Sequence, residues 1–200
     1  GVHYVSGISY NKNDLTLSAE IFYKTNTNLS RFINEADALE LTFVNGESRS
    51  AGVDFFIKKK ISKHQFLIGY TISQTKELFT NFANQDFQPS PHDQRHELKG
   101  AALFNFDPIY LSLNYVYGSG ILNSGQLSST TKIIPYNRFD AALLYRFNMK
   151  KYKLEAGVSV LNVFNSFNVR YNNFSSFPNS ETVYQQALPF TPTLMLKFSF

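Results

Sequence analysis

The chain lacks cysteine and tryptophan, and none of its 200 residues belong to an apolar run of about 18, the length a membrane-spanning helix needs. Without cysteine there is no disulfide framework, no thiolate nucleophile and no cysteine-based zinc site. Charge is scarce too: Asp, Glu, Lys and Arg make up 17% of the chain, against about 25% in an ordinary soluble domain, and Ser, Thr, Asn and Gln stand in their place. The net charge of +4 is modest. Its lysines gather at Lys58 to Lys60 with Lys63, and at Lys150, Lys151 and Lys153, beside short turns. That is the pattern of solvated or phospholipid-facing charge, so no nucleic-acid partner is expected. Helical periodicity is also missing, and the opening GVHYVSGISY has neither the charged leader nor the apolar block of a signal peptide. The chain is therefore expected to be part of a longer protein, with its true N-terminus lying elsewhere.

What is present is aromatic residues, all Tyr and Phe at 16% of the chain, and an apolar alternation of period two almost throughout. Val2, Tyr4, Ile8 and Tyr10 begin it. After a turn at 11–14, Leu15, Leu17, Ala19, Ile21 and Tyr23 share one face while Thr16, Ser18, Glu20 and Lys24 share the other, which predicts a hairpin. Val53, Phe55 and Ile57 pair in the same way with Phe66, Ile68, Tyr70 and Ile72 across a turn at Ser62. RHELKGAALFNF runs into PIYLSLNYVYG through Asp107 and Pro108, and RFDAALLYRFN into YKLEAGVSVLNVFN around 149–151. TPTLMLKFSF supplies a last strand.

Connections of a few residues alternate with long polar ones, roughly 25–46, 76–91, 119–134 and 165–189, along about nine strands. Outer-membrane barrels place tight turns on the periplasmic side and long loops outside, and about ten residues suffice for a tilted strand to cross the hydrocarbon layer. Periodicity alone does not separate such a barrel, with lipid outside and a wet lumen within, from a soluble sheet with an apolar core. The polar face of Ser, Thr, Gly and Asn, with pairs such as Arg138 and Asp140, favours a lumen. Tyr4, Tyr10, Tyr23, Tyr115, Tyr145 and Tyr152 near strand ends would form interfacial girdles.

Three stretches resemble the last part of TonB-dependent outer-membrane receptors: SPHDQRHELKG with its following strand and Tyr-x-Gly-Ser-Gly end, PYNRFDAALLYRF with LEAGVSVLNVFNSFNV, and the terminal TPTLMLKFSF. The resemblance spans about 51–200. It implies an all-β fold, a transmembrane antiparallel up-and-down barrel of 22 strands around an N-terminal plug, of which residues 1–200 would be the C-terminal part with about nine strands. It further implies the bacterial outer membrane, active uptake of a scarce small-molecule or glycan ligand such as an iron chelate or cobalamin, and an energy-coupling TonB-type protein engaged through the absent N-terminal part. Phe200 matches the terminal aromatic that the barrel assembly machinery reads. Strands 2–10 and 193–200 are expected to pair with strands outside this sequence, because open edges in lipid cost several kcal/mol per unpaired group. A passive channel, a barrel enzyme and a secreted glycan-binding sandwich remain as alternatives.

Candidate ligand-facing residues follow from the outside loops and upper lumen. Aromatic rings beside amides suit stacking on sugars or aryl chelates. Phe79, Phe82, Phe87, Tyr171, Phe174 and Tyr184 qualify, as do His92 and Arg95, with Phe32 and Phe177 in the same loops. His92 and His96 have metal-ligand spacing for a helix, but Pro89 and Pro91 favour extended chain, on which residues four apart are roughly 13 Å apart. No metal site is expected there; Arg95, Glu97 and Lys99 should instead form a charge ladder facing the lumen. Glu35, Asp37, Glu40 and Glu47 lack the regular spacing of a calcium loop. With no nucleophile elbow in the sequence, no catalytic residues, no cofactor and no enzymatic activity are expected.

Overall fold

Alternating residues hydrogen-bond sideways to their neighbours, and here they do so in sequence order. The computed structural model describes residues 1–33, 42–81, 85–120, 134–148, 152–170, 175–176, 181–182 and 185–199. Its strands are β1 (Val2–Lys12), β2 (Leu15–Ile33), β3 (Thr42–Ile61), β4 (His64–Phe79), β5 (Gln88–Pro89), β6 (His96–Asn105), β7 (Ile109–Gly118), β8 (Tyr136–Asn148), β9 (Lys153–Leu161), β10 (Val169–Arg170), β11 (Ser175–Ser176), β12 (Glu181–Thr182), β13 (Gln185–Gln186) and β14 (Thr191–Ser199). Nine long strands pair antiparallel in the order β1-β2-β3-β4-β6-β7-β8-β9-β14, and β5 adds to the upper end of β4. This is the all-β up-and-down meander expected from the sequence. The short pairs β10 with β13 and β11 with β12 bring the two sides of the last long connection together.

The short turns are where the residues dictate them. Asn13 and Asp14 both take positive φ, 49° and 58°, the pairing a two-residue hairpin turn with matching strand twist requires. Ser62 does the same at the β3–β4 turn, with φ 53°. The expected turn at 149–151 lies outside the described residues.

Register sorts every side chain to one of two faces. Tyr4 faces Tyr23, Ile8 faces Ala19, and Leu17 faces Ile57, which faces Ile68. Leu143 opposes Leu111 on one side and Val158 on the other, and Val158 opposes Leu194. This outer face is apolar and, among the described residues, largely uncovered: Ile8 is 76% exposed, Leu194 85% and Leu196 74%. Among the described residues only Val44, Phe79 and Val169 are buried hydrophobics. A sandwich of this composition would hide its apolar face in a core; this sheet presents it outward, as a wall in lipid does.

Aromatic rings concentrate on that face at the short-turn end. His64 packs on Phe104 and Phe106 with centroids 5.7 and 5.0 Å apart, Phe66 meets Phe104 edge-on at 5.6 Å, Tyr145 meets Phe147 at 4.3 Å, and Tyr152 stacks on Phe198 at 5.8 Å. Such a belt suits the boundary between hydrocarbon and water.

The structure corrects the expected loop boundaries. β2 has 19 residues and β3 has 20, where about 9–11 suffice to cross a membrane, so the two strands continue as a hairpin well past the apolar band. The stretch expected as a loop at 25–46 is mostly strand, and β4 likewise runs to Phe79. Above the membrane both faces of a hairpin are wet, the apolar alternation stops, and the sequence signal for a strand stops with it. Between Asn26 and Leu29 the β2–β3 register shifts by one residue at a bulge, where Asn28 has φ 56°.

Candidate functional site

The inner face is a polar wall whose side chains are largely committed to one another. Thr71 Oγ1 donates to Asp54 Oδ1 (2.5 Å), the hydroxyls of Ser50 and Thr75 share a hydrogen bond (3.0 Å), and Asn26 Nδ2 donates to Ser48 Oγ (3.1 Å). Glu97 and Lys99 form an ion pair on β6, Arg138 reaches Asp140 (3.1 Å), and Arg146 reaches Glu155 across β8 and β9 (2.8 Å). Glycine leaves room where bulk is needed nearby. A Cβ at Gly52 would sit 2.5 Å from the Phe22 ring and 2.7 Å from the Ile72 carbonyl oxygen, so the Phe22 ring occupies the space over the bare backbone.

Two hollows lie along this wall. The upper one, of about 400 Å³, is lined by His3, Glu20, Phe22, Lys24, Asp54 and Thr75, with an aromatic ring beside charged and hydroxyl groups. The lower, of about 450 Å³, is more apolar, with Leu103, Leu144, Gly157 and Met195 between Gln65 and Ser112. The residues of the upper hollow escaped the sequence reading. They belong to strands, whereas ligand contacts were sought in loops; the carboxylates Glu20 and Asp54, directly opposite across β2 and β3, were the available signal.

Above the upper hollow, the β2–β3 hairpin and the top of β4 form a closed cluster. Arg31 donates to Glu77 Oε1 (2.5 Å) and lays its guanidinium 4.0 Å over the Phe79 ring; Glu77 is only 6% exposed and Phe79 3%. Phe79 therefore packs within the wall, its ring lying over Gly46. Phe87 is placed differently: Arg49, whose register puts it on the outer face opposite Thr25 and Lys76, stands 4.1 Å over its ring.

The segment SPHDQRHEL is a locked excursion between β5 and β6. Ser90 donates its N–H to the Thr75 carbonyl, and its own oxygens accept from His92 and Asp93 N–H. Asp93 then ties the turn back: Oδ1 accepts from Thr75 N–H (2.6 Å) and Oδ2 from Arg95 (3.3 Å). Arg95 continues the β4–β6 ladder through its carbonyl, bonded by Ser73 N–H, and keeps 40% of its side chain exposed on the inner side. His92 is exposed in the turn, while His96 Nδ1 is engaged by the Tyr70 hydroxyl (2.8 Å) on the outer face. The two histidines thus serve different sides of the wall. Replacing Asp93 by alanine is expected to cost about 1.5–3 kcal/mol of local stability. Hydrogen exchange should show faster exchange at Thr75 and residues 90–95, with β7 and β8 protected as before; uniform protection would contradict this role.

At the far side of the mouth an asparagine network holds the last long connection. Asn162 is fully buried, with φ 52°. Its Nδ2 donates to the carbonyls of Ser166 (3.0 Å) and Leu188 (2.7 Å), its Oδ1 accepts from Ser166 N–H (2.9 Å), and its N–H donates to Asp140 Oδ1 (2.9 Å). Asn168 pairs its side-chain amide with both backbone groups of Asn137, as a strand residue would. The start of the connection is thereby fixed to β8, and its end is tied to that start through the Leu188 carbonyl on Asn162 and Ala187 N–H on the Asn168 carbonyl. Of the remaining sequence candidates, Phe82, Tyr171, Phe174, Phe177, Tyr184 and the terminal Phe200 lie outside the described residues, as do Glu35, Asp37 and Glu40.

Compared with solved structures, the chain superposes on the ferric-catecholate import receptor Fiu of E. coli K12 in its closed form, with a TM-score of 0.65. The match covers 98% of this chain and 27% of that one, at 20% identity. The likeness is one of fold: the antiparallel up-and-down sheet is that of a receptor-barrel wall. Within that barrel fold the chain spans just over a quarter of the matched receptor's length. No family model matches the sequence, and neither does any curated protein. At this identity the shared property is the fold alone.

Proposed function

We propose that this chain is the C-terminal wall of an outer-membrane importer that takes up a scarce ligand with energy supplied through a TonB-type partner. The observation that carries the reading is the inverted sheet: an apolar face left largely uncovered, from Ile8 on β1 to Leu194 on β14, with the polar face turned to the inside, on a backbone that follows an import receptor over 98% of this chain. β1 and β14 each pair on one side only among the described residues, and in lipid such edges need partners. Further strands and a plug supplied by the rest of the protein would close the barrel, and Phe200 would serve as the assembly signal. The wall beneath the mouth, with Phe22, Glu20 and Asp54 in the upper hollow and Arg95 beside it, is the surface offered to the ligand. Its mix of ring, carboxylate, hydroxyl and guanidinium suits a polar ligand with aromatic or sugar faces, such as an iron chelate, cobalamin or a glycan.

Uptake by cells expressing the full-length protein should separate active import from a passive pore. Labelled iron chelates, cobalamin and oligosaccharides are offered with and without a protonophore. Accumulation of one of these classes that stops when the proton gradient collapses supports the reading. Flux that persists without the gradient identifies a channel and rejects energy coupling.

A further inference from the structure

On β3, the outward-facing residues between Arg49 and Lys59 are Ala51, Val53, Phe55 and Ile57, all uncharged. Ten residues at about 3.3 Å each, tilted by about 35–45°, span a height of roughly 23–27 Å, which matches the apolar band of about 25 Å of such barrels. The neighbouring strands agree. Lys12 on β1 lies on the outer face at the lower level, and Lys76 on β4, directly opposite Arg49, lies at the upper one, with only Gln74, Ile72, Tyr70, Ile68 and Phe66 outward-facing below it before His64. Arg49 and Lys76 are therefore adjacent cations at the level where headgroups on the long-loop side begin.

Three further observations bear on what these cations face. The Arg49 guanidinium is braced from one side by the Phe87 ring at 4.1 Å, while its side chain stays 52% exposed. The nearest carboxylate, Glu47 on the same face, is 3.8 Å away, an ion-pair distance too long for a hydrogen bond. The exposed apolar surface directly beneath supplies the place for acyl chains. We propose that Arg49 and Lys76, with Phe87 as a brace, form a binding site for the phosphate of an anionic lipid in the outer leaflet, the acyl chains lying along Val53, Phe55 and Ile72. A guanidinium held in place binds phosphate oxygens in fork geometry, and the ammonium beside it adds a second charge. The site rests on the membrane reading above but not on the ligand or on energy coupling.

The test uses the full-length protein in nanodiscs of phosphatidylcholine doped with lipid A, a doubly phosphorylated glycolipid, with bound lipid counted by native mass spectrometry. R49Q/K76Q should weaken lipid A retention roughly ten- to thirty-fold, as expected when two headgroup cations are removed. K12Q/K59Q, altered at the opposite level, should retain lipid A as the unmodified protein does. Equal retention by R49Q/K76Q and the unmodified protein would overturn the proposal. So would displacement of lipid A by millimolar inorganic phosphate, which would mark a site for the free anion. A protein recovered from cells without detergent would instead overturn the membrane reading itself.

Discussion

Replacing Asn162 by alanine is expected to destabilise the protein by about 3–5 kcal/mol and to abolish ligand uptake. The substitution leaves Ser166 N–H and the carbonyls of Ser166 and Leu188 without the partner that the fully buried Asn162 side chain supplies, and each such group costs about 1–3 kcal/mol. Alanine is also strained at φ 52°, by about 1–2 kcal/mol, which glycine is not. Asn162→Gly should therefore recover part of the loss, while Asn165→Gly, which gives up one exposed bond to Phe190 N–H, should cost about 1 kcal/mol or less. Denaturant unfolding of the full-length protein in lipid vesicles should give losses in the order Asn162→Ala, Asn162→Gly, Asn165→Gly, largest first. If alanine at 162 costs no more than glycine at 165, the network does not hold the connection.

A charge placed outward at the centre of the band should have the next largest effect. Phe55 lies on the outer face midway between the levels of Arg49 and Lys59, 46% exposed in the protein alone. Phe55→Arg should lose about 2–4 kcal/mol of folding stability in vesicles, the cost of an arginine at the bilayer midplane. Ser18→Arg, on the polar inner face opposite Phe56, should stay within about 0.5 kcal/mol. In water the comparison would reverse, because arginine at an exposed apolar site is harmless. An unchanged or more stable Phe55→Arg protein would mean that no lipid touches this face.

The strands that cross the membrane were legible because lipid and lumen impose opposite demands on successive residues. Leu15, Leu17, Ala19, Ile21 and Tyr23 were assigned one face from alternation alone, and the register places them together on the outside. The turns at 13–14, 62–63 and 107–108 were equally readable from Asn, Asp, Ser and Pro. Alternation ends where the bilayer does, so the upward extensions of β2, β3 and β4 left no trace. Asn162 gave no signal of its reach, since besides the local bonds to Ser166 its partners are Asp140 and Leu188, 22 and 26 residues away in the chain. Asp93 follows His92 directly in the sequence, but its action on Thr75 depends on how an excursion folds back onto β4. Side-chain chemistry at the mouth is set by such long-range returns, and period two says nothing about them.

The single extra residue between Asn26 and Leu29 acts as a change of phase. Below it, even-numbered residues of β2 point inward; above it, odd-numbered ones do, which is how Arg31 comes to meet Glu77 and Phe79. Had β2 continued without the insertion, Arg31 would stand opposite Phe43 and turn outward. The hairpin's inside and outside are thus set independently of the stretch that lipid has already sorted. A sequence can exchange its whole upper hairpin at this point, with either parity, and leave every lipid-facing residue of the wall where it was.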